Sequence, residues 1–240
     1  GQAQAQWPTL SIDLSDTVCI DQPLSIANTS TGAVTYDWDF STGELANEPN
    51  ATAIVSSTTL GRPFNLALIE EAGSWFGFVM GSNTRSLVRL EFDSLSDPSP
   101  EVFNVGTLGG VFNNPRSIDL FKEGDTWYGL VADFGSGILF RLTFTNGLQQ
   151  APTVENLTTL GLINSPYDLS IIDDGTSIWA QIIEFGGTVV FVEFGSSITN
   201  DPTGQASQIT IPGSSQTVSI ATVNECGTWY SVVSSAGNNN

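Results

Sequence analysis

The amino-acid sequence predicts an all-β protein, a β-propeller of four-stranded antiparallel blades, on three sets of markers that share one period. Tryptophans stand at Trp75, Trp127, Trp179 and Trp229, spaced 52, 52 and 50 residues, and each follows a turn such as Glu123-Gly124-Asp125-Thr126. Phenylalanines that close an alternating strand stand at Phe40, Phe92, Phe144 and Phe194 with the same three spacings. Glycines at Gly109, Gly161 and Gly213 recur twice at 52 residues, and Pro63, Pro115 and Pro166 open successive units. A repeat near 51 residues that holds four short strands has the length of a propeller blade. Domains of the β-sandwich type recur instead at about 100 residues.

Taken in chain order, residues 1–35 differ from the repeats and form an N-terminal segment. Residues 36–61 read as the last two strands of a partial unit, because Phe40 lies one period before Phe92. Complete units span 62–114, 115–165 and 166–216, and a further partial unit occupies 217–240. Within the 115–165 unit, residues 117–121 form a short strand that ends at a Glu-Gly-Asp turn. Residues 126–132 make an apolar, aromatic strand, 133–137 a loop, 138–145 an alternating β-branched strand, and 152–160 the fourth strand. Gly, Asn and Asp punctuate these strands as hairpin turns require. No window carries sustained helical periodicity. Three complete and two partial units fall short of a closed propeller, so the expectation is an incomplete ring whose further blades lie elsewhere in a longer polypeptide.

Charge narrows the function classes. The 240 residues include 25 acids, 6 bases and no histidine, for a net charge of −19. Without imidazole there are no Ser-His-Asp or Cys-His triads and no histidine metal ligands. The negative field disfavours phosphate backbones and anionic lipid surfaces, so neither nucleic-acid binding nor membrane insertion is expected. No run of about 18 apolar residues is present to span a bilayer. Charged residues make up only 13% of the chain and hydrophobic ones 40%, the balance of a folding sequence rather than a disordered acidic one. The opening Gly-Gln-Ala-Gln-Ala-Gln resembles what remains beyond a signal-peptidase site, which points to export.

Candidate site residues follow from the blade register. The first strand of a blade lines the central channel, which makes Asn65, Ser117, Asp168 and Ser219 equivalent channel-lining candidates. The four tryptophans could stack on sugar rings, although a repeated aromatic is also what packing between blades demands. Arg89 and Arg141 share a strand position and are expected to pair with blade-edge acids such as Glu91. Carboxylates in loops, at Asp37, Asp39, Asp173 and Asp174, are candidate Ca²⁺ ligands, but no Asp-x-Asp-x-Asp-Gly loop exists and no metal or other cofactor is expected. Cys19 and Cys226 are the disulfide candidates: they pair, bond to partners outside the chain, or stay thiols. No catalytic residue stands out, and paired carboxylates for glycoside hydrolysis are spatial, not sequential, features.

The N-terminal segment carries Cys19 four residues before Pro23, an Asn28-Thr29-Ser30 turn, and Tyr36-Asp37-Trp38-Asp39-Phe40. This resembles the front half of a PKD-type immunoglobulin-like domain, departing from it at Ser41-Thr42-Gly43, where Gly-Asp-Gly is usual. Blades reading Pro-x-x-Ile-Asp-Leu, Gly-Asp-Thr-Trp-Tyr-Gly and Leu-x-Arg-Leu-x-Phe follow it, as at residues 115–120, 124–129 and 139–144. Together these are similar to the gliding-motility-associated and adhesin-like surface proteins that Bacteroidota export by the type IX system. The resemblance implies an extracellular, cell-surface protein. It also makes Asp16-Thr17-Val18 and Asp93-Ser94-Leu95 candidate O-glycosylation sites at Thr17 and Ser94. The expected function is a non-enzymatic cell-surface adhesion or gliding module that binds surfaces, polysaccharide or partner proteins through loops at one face of the propeller, with the turns 81–85, 133–137 and 184–187 as candidates. The alternatives are a propeller glycoside hydrolase or lyase using channel carboxylates, and a structural part of a secretion or motility assembly.

Overall fold

The computed structural model describes residues 12–13, 27–28, 57–94, 99–157, 161, 163–202, 208–211 and 216–236. In order these form β1 (Ile12–Asp13), β2 (Ala27–Asn28), a single helical turn α1 (Ser57–Leu60), β3 (Pro63–Glu71), β4 (Ser74–Gly81), β5 (Ser86–Phe92) and β6 (Glu101–Gly106). Next come β7 (Pro115–Glu123), β8 (Thr126–Asp133), β9 (Ile138–Phe144), β10 (Thr153–Leu157), β11 (Pro166–Asp173), β12 (Ile178–Glu184), β13 (Thr188–Gly195) and β14 (Gln208–Thr210). The last two are β15 (Thr217–Glu225) and β16 (Thr228–Ser235). The chain divides into two compact units, one of residues 1–51 with 224–228 and the other of 52–223 with 229–240. In the first, β1 and β2 pair antiparallel, Ile12 opposite Asn28.

The second unit is an incomplete β-propeller. Its three complete blades are the antiparallel sheets β3-β4-β5-β6, β7-β8-β9-β10 and β11-β12-β13-β14, with β15-β16 as a two-stranded sheet. Equivalent backbone bonds fix the repeat, because Ser82, Phe134, Phe185 and Ala236 donate their amides to the carbonyls of Arg62, Asn114, Ser165 and Gln216. The two aromatic marker sets share a period because they are cross-strand partners: Trp75 lies opposite Phe92 and Trp127 opposite Phe144. In the third blade a register shift between Ile178 and Trp179 sets Trp179 opposite Glu193 instead.

In the three complete blades the first strand opens on a proline, and a register shift follows at once, between Pro63 and Leu66, Pro115 and Ser117, and Pro166 and Asp168. Proline lacks the amide that the ladder would use, so it is suited to the first residue of a strand, and a bulge there re-aims the next side chain. The end of the blades at which first strands begin and β4, β8 and β12 finish is the leading face. Between the first and second blades lies a core of Phe78, Met80, Leu87, Ile118, Phe140, Leu142 and Phe144. Phe78 meets Phe144 edge-on at 5.3 Å between ring centroids. A second core with Leu130, Leu139, Leu169, Ile182, Val190 and Phe194 joins the second blade to the third.

Candidate functional site

The four equivalent first-strand positions meet on one carboxylate. Asp168 Oδ1 accepts from Asn65 Nδ2 at 3.1 Å, from Ser117 Oγ at 2.6 Å and from its neighbour's amide, Leu169 N, at 3.0 Å. Its Oδ2 accepts from Ser219 Oγ and from Ile220 N, both at 3.0 Å. Five donors from four first strands therefore satisfy a side chain that is only 4% exposed. A buried carboxylate without such donors would be strongly unfavourable. The sequence brought these residues to one register; the structure makes them a clamp that joins blades at the axis.

Asp119, two residues beyond Ser117 on β7, is the other axial carboxylate. It accepts from the amides of Ile171 and Leu120, each at 2.8 Å. Burial, reinforced by the charge of Asp168, raises its pKa, and the two amides oppose that shift without cancelling it.

Bases on the third strands β5 and β9, and Lys122 on β7, act as seams. Arg89 pairs with Glu91 at 2.7 Å, as the sequence suggests, and its Nη1 donates to the carbonyls of Leu148 and Gln149 in the next blade. Arg141 repeats the device one blade on, pairing with Glu155 at 2.6 Å and donating to Ile198 O and Asn200 O at 2.6 and 2.9 Å. Lys122 pairs with Glu71 at 2.9 Å, an oxygen that also accepts from Trp127 Nε1 at 2.7 Å.

The leading face holds a cluster that the sequence reading does not contain. The bulge after Pro115 sends the Arg116 guanidinium among three rings, its Cζ 4.1 Å from the centroid of Phe64, 4.3 Å from Phe134 and 4.5 Å from Tyr167. Tyr167 stacks on Phe185 at 5.5 Å, and Arg62 lies over Phe64 at 5.1 Å. Arg116 Nε is buried with no hydrogen-bond partner. Desolvation, with the like charge of Arg62, lowers the pKa of Arg116 against the contrary effect of Tyr167. The signal was present but unread: Phe64, Arg116 and Tyr167 each follow the proline marker, and Phe134 and Phe185 each follow an acid that ends a second strand. Those acids anchor the loops. Asp133 accepts from the amides of Asn113, Asn114 and Ser136, and Glu184 from those of Asn164 and Ser165.

The remaining candidates fall as follows. Thr17 and Cys19 lie outside the described residues, as do Asp37, Asp39 and most of the expected 36–61 strands. Cys226 is held in a disulfide. Ser94 is exposed in the bend after β5. The tryptophans are half-buried near the turns opposite the leading face, and Trp179 Nε1 donates to Asp174 at 3.1 Å. Asp174 is engaged by Thr176 and Ser177, whose hydroxyl and amides hold its pKa down at about 2. Among the described residues, no three His, Cys, Asp or Glu side chains converge as a metal site.

Three joined four-stranded blades and an axial clamp define the class as a β-propeller. No family model and no curated protein matches the chain. Among solved structures it is similar to the exo-beta-1,3-galactanase of Phanerochaete chrysosporium bound to beta-1,3-galactotriose, at 10% identity and TM-score 0.56, covering 72% of this chain and 43% of that one. A thermostable family-43 glycoside hydrolase matches at 9% identity and TM-score 0.55, covering 72% and 64%. The alpha-L-arabinofuranosidase of Podospora anserina in complex with cellotriose matches at 12% identity and TM-score 0.50, covering 75% and 65%. This chain thus spans between 43% and 65% of the length of these relatives. At such identities the likeness establishes the fold. It also corrects the expectation of a non-enzymatic adhesion or gliding module. These three solved chains are glycoside hydrolases, the enzyme class held as the alternative, and the expectation of no enzyme falls with it.

Proposed function

We propose that this chain is part of a carbohydrate-cleaving β-propeller, a glycoside hydrolase that works at the propeller axis. The observation that carries the reading is the pair of buried carboxylates on adjacent innermost strands, Asp119 on β7 and Asp168 on β11, which differ in their hydrogen-bond partners. Asp119 accepts from two amides and has its pKa raised by burial, while Asp168 is surrounded by five donors. Glycosidic cleavage by the common route needs a carboxylic acid that keeps its proton long enough to protonate the leaving oxygen, and negative charge to stabilise an oxocarbenium-like transition state. Asp119 fits the first role. Asp168, with both oxygens engaged, fits a fixed charge that positions the first strands rather than a nucleophile. The fold shared with a galactanase bound to galactotriose supports the same reading. A cell-surface location, implied by the family resemblance, would put such an enzyme where glycans are met.

The test is release of reducing sugar from β-1,3-galactan, arabinan, arabinoxylan, polygalacturonate and a sulfated galactan by the full natural polypeptide. Asp119→Asn is expected to lower the turnover number by about 100-fold or more with thermal unfolding retained. Failure of the natural polypeptide to cleave any glycan in the panel would overturn the reading.

A further inference from the structure

The chain has six basic side chains in a protein of net charge −19. Three of them, Arg89, Lys122 and Arg141, are matched to carboxylates. The other three, Arg62, Arg85 and Arg116, make no ion pair with a described carboxylate. All three belong to the leading face. Arg62 and Arg85 line a 530 Å³ pocket with Ser82, Asn83, Asn113 and Asn114, closed on one side by Phe134, the ring that also carries Arg116. No acid lines it. Asp133, which holds Asn113 and Asn114 in place, is fully buried with its oxygens engaged by three amides.

Backbone conformation supplies an independent observation. Arg62 and Arg85 both have left-handed φ, 62° and 55°. Arg85 closes its hairpin through its amide to Gly81 O at 2.7 Å, and the equivalent bond in the next blade is made by Gly137 to Asp133 O at 2.9 Å. Gly137, at φ 66°, adopts this turn without strain, and the one-residue-shorter turn of the third blade, closed by Gly187 to Glu184 O at 3.0 Å, also ends on a left-handed glycine, φ 85°. The first blade thus bears the strain of a side-chained residue where its neighbours have glycine. Such strain concentrates where the side chain serves a site. Arg62 and Arg116 also share the Phe64 ring, two like charges with no described anion between them.

We infer that the pocket of Arg62 and Arg85 binds an oxyanion carried on a sugar, so that the glycan this face takes is acidic. Guanidinium forks donate paired hydrogen bonds to carboxylates and sulfates, and the asparagine amides add uncharged donors. A local cationic site on a strongly acidic protein also sorts ligands, because an anionic polymer is repelled elsewhere and held only here. The inference rests on the reading that the propeller handles glycans, and it names the substrate class.

The experiment is calorimetric titration of the full natural polypeptide with three probes: tetragalacturonate, its fully methyl-esterified and therefore neutral form, and a sulfated galacto-oligosaccharide. At least one of the two anionic probes is expected to bind at least tenfold tighter than the neutral ester, with affinity falling as salt rises. Arg85→Gly and Arg62→Gly, which place in each left-handed position the residue that suits it, are expected to weaken that binding at least tenfold with the unfolding temperature kept. Preference between the carboxylate and sulfate probes assigns the source of the oxyanion. Equal binding of the neutral ester, no binding of any probe, or affinity within twofold in both variants overturns the inference. If neutral glycans are cleaved but no anionic probe binds, only this inference fails. If anionic probes bind through the arginines but no glycan is cleaved, only the hydrolase reading fails.

Discussion

The seams between blades and the leading face use the same residue type in opposite ways. Along the seams, Arg89 and Arg141 are nearly buried, each matched to a carboxylate and to two carbonyls of the next blade. On the leading face, Arg62 and Arg85 are exposed, strained and without a described carboxylate partner. The difference separates the two kinds of work. A guanidinium whose donors are all met by protein holds the fold, and one whose donors point into a pocket is available to a ligand. With so few bases in so acidic a chain, leaving any of them unmatched is informative.

The largest expected effect lies at the axis, where the seams converge. Asp168→Ala removes the acceptor for Asn65, Ser117, Ser219 and two amides. Stranding several buried donors should cost about 3–5 kcal/mol. For a domain of this size that corresponds to an unfolding temperature lower by roughly 10 °C. A variant that melts within a degree or two of the parent would remove the clamp as an organising feature. Arg141→Ala comes next, at about 2–3 kcal/mol in a denaturant titration, because Ile198 O and Asn200 O lose a charged donor. Arg85→Gly sharpens the contrast from the other side. Relief of left-handed strain and the larger unfolded-state entropy of glycine nearly offset, so stability should stay within about 1 kcal/mol of the parent. Comparable losses in Arg85→Gly and Arg141→Ala would erase the distinction between the two regions.

How much of this was legible in the sequence depends on whether a feature repeats. Blade length, strand order and the axial positions Asn65, Ser117, Asp168 and Ser219 were readable, since packing imposes the same demand on every blade. Their convergence on one carboxylate was not, because the marker positions say which residues are equivalent and nothing of which one differs chemically. Sequence reading saw three hydroxyl or amide residues and an acid as a polar lining, when the acid is the acceptor for the other three. The leading-face turns 81–85, 133–137 and 184–187 were readable as binding loops, but the arginine and aromatic cluster they carry was missed for the opposite reason. Arg116 and Arg85 break the repeat, standing where other blades have an aromatic ring or a glycine, and a search for periodicity passes over the exceptions. The tryptophans were legible only in part: all four are half-buried, Trp127 packs against the core between the first and second blades, and the indole N–H groups of Trp127 and Trp179 are bonded to carboxylates.

The smallest effects are in pH, where two aspartates give slopes of opposite sign. Asp119 has a raised pKa in the folded chain, so the folded state binds its proton more tightly than the unfolded one. Its contribution is then fully present below the ordinary carboxylate range, about 4, and is lost as pH rises through the higher folded value. Asp174 is lowered from 3.8 to about 2 by the Thr176 hydroxyl and the turn amides, so its contribution is present above 3.8 and lost as pH falls towards 2. Asp119→Asn should flatten the decline in stability above pH 4 and leave the acid limb alone, and Asp174→Asn should soften only the acid limb. Unfolding midpoints measured from pH 2 to pH 7 separate the two. An Asp119→Asn curve parallel to the parent throughout would mean that the axial carboxylate is no better a proton holder than a surface one, and the distinction between axis and surface turns would lose its chemical content.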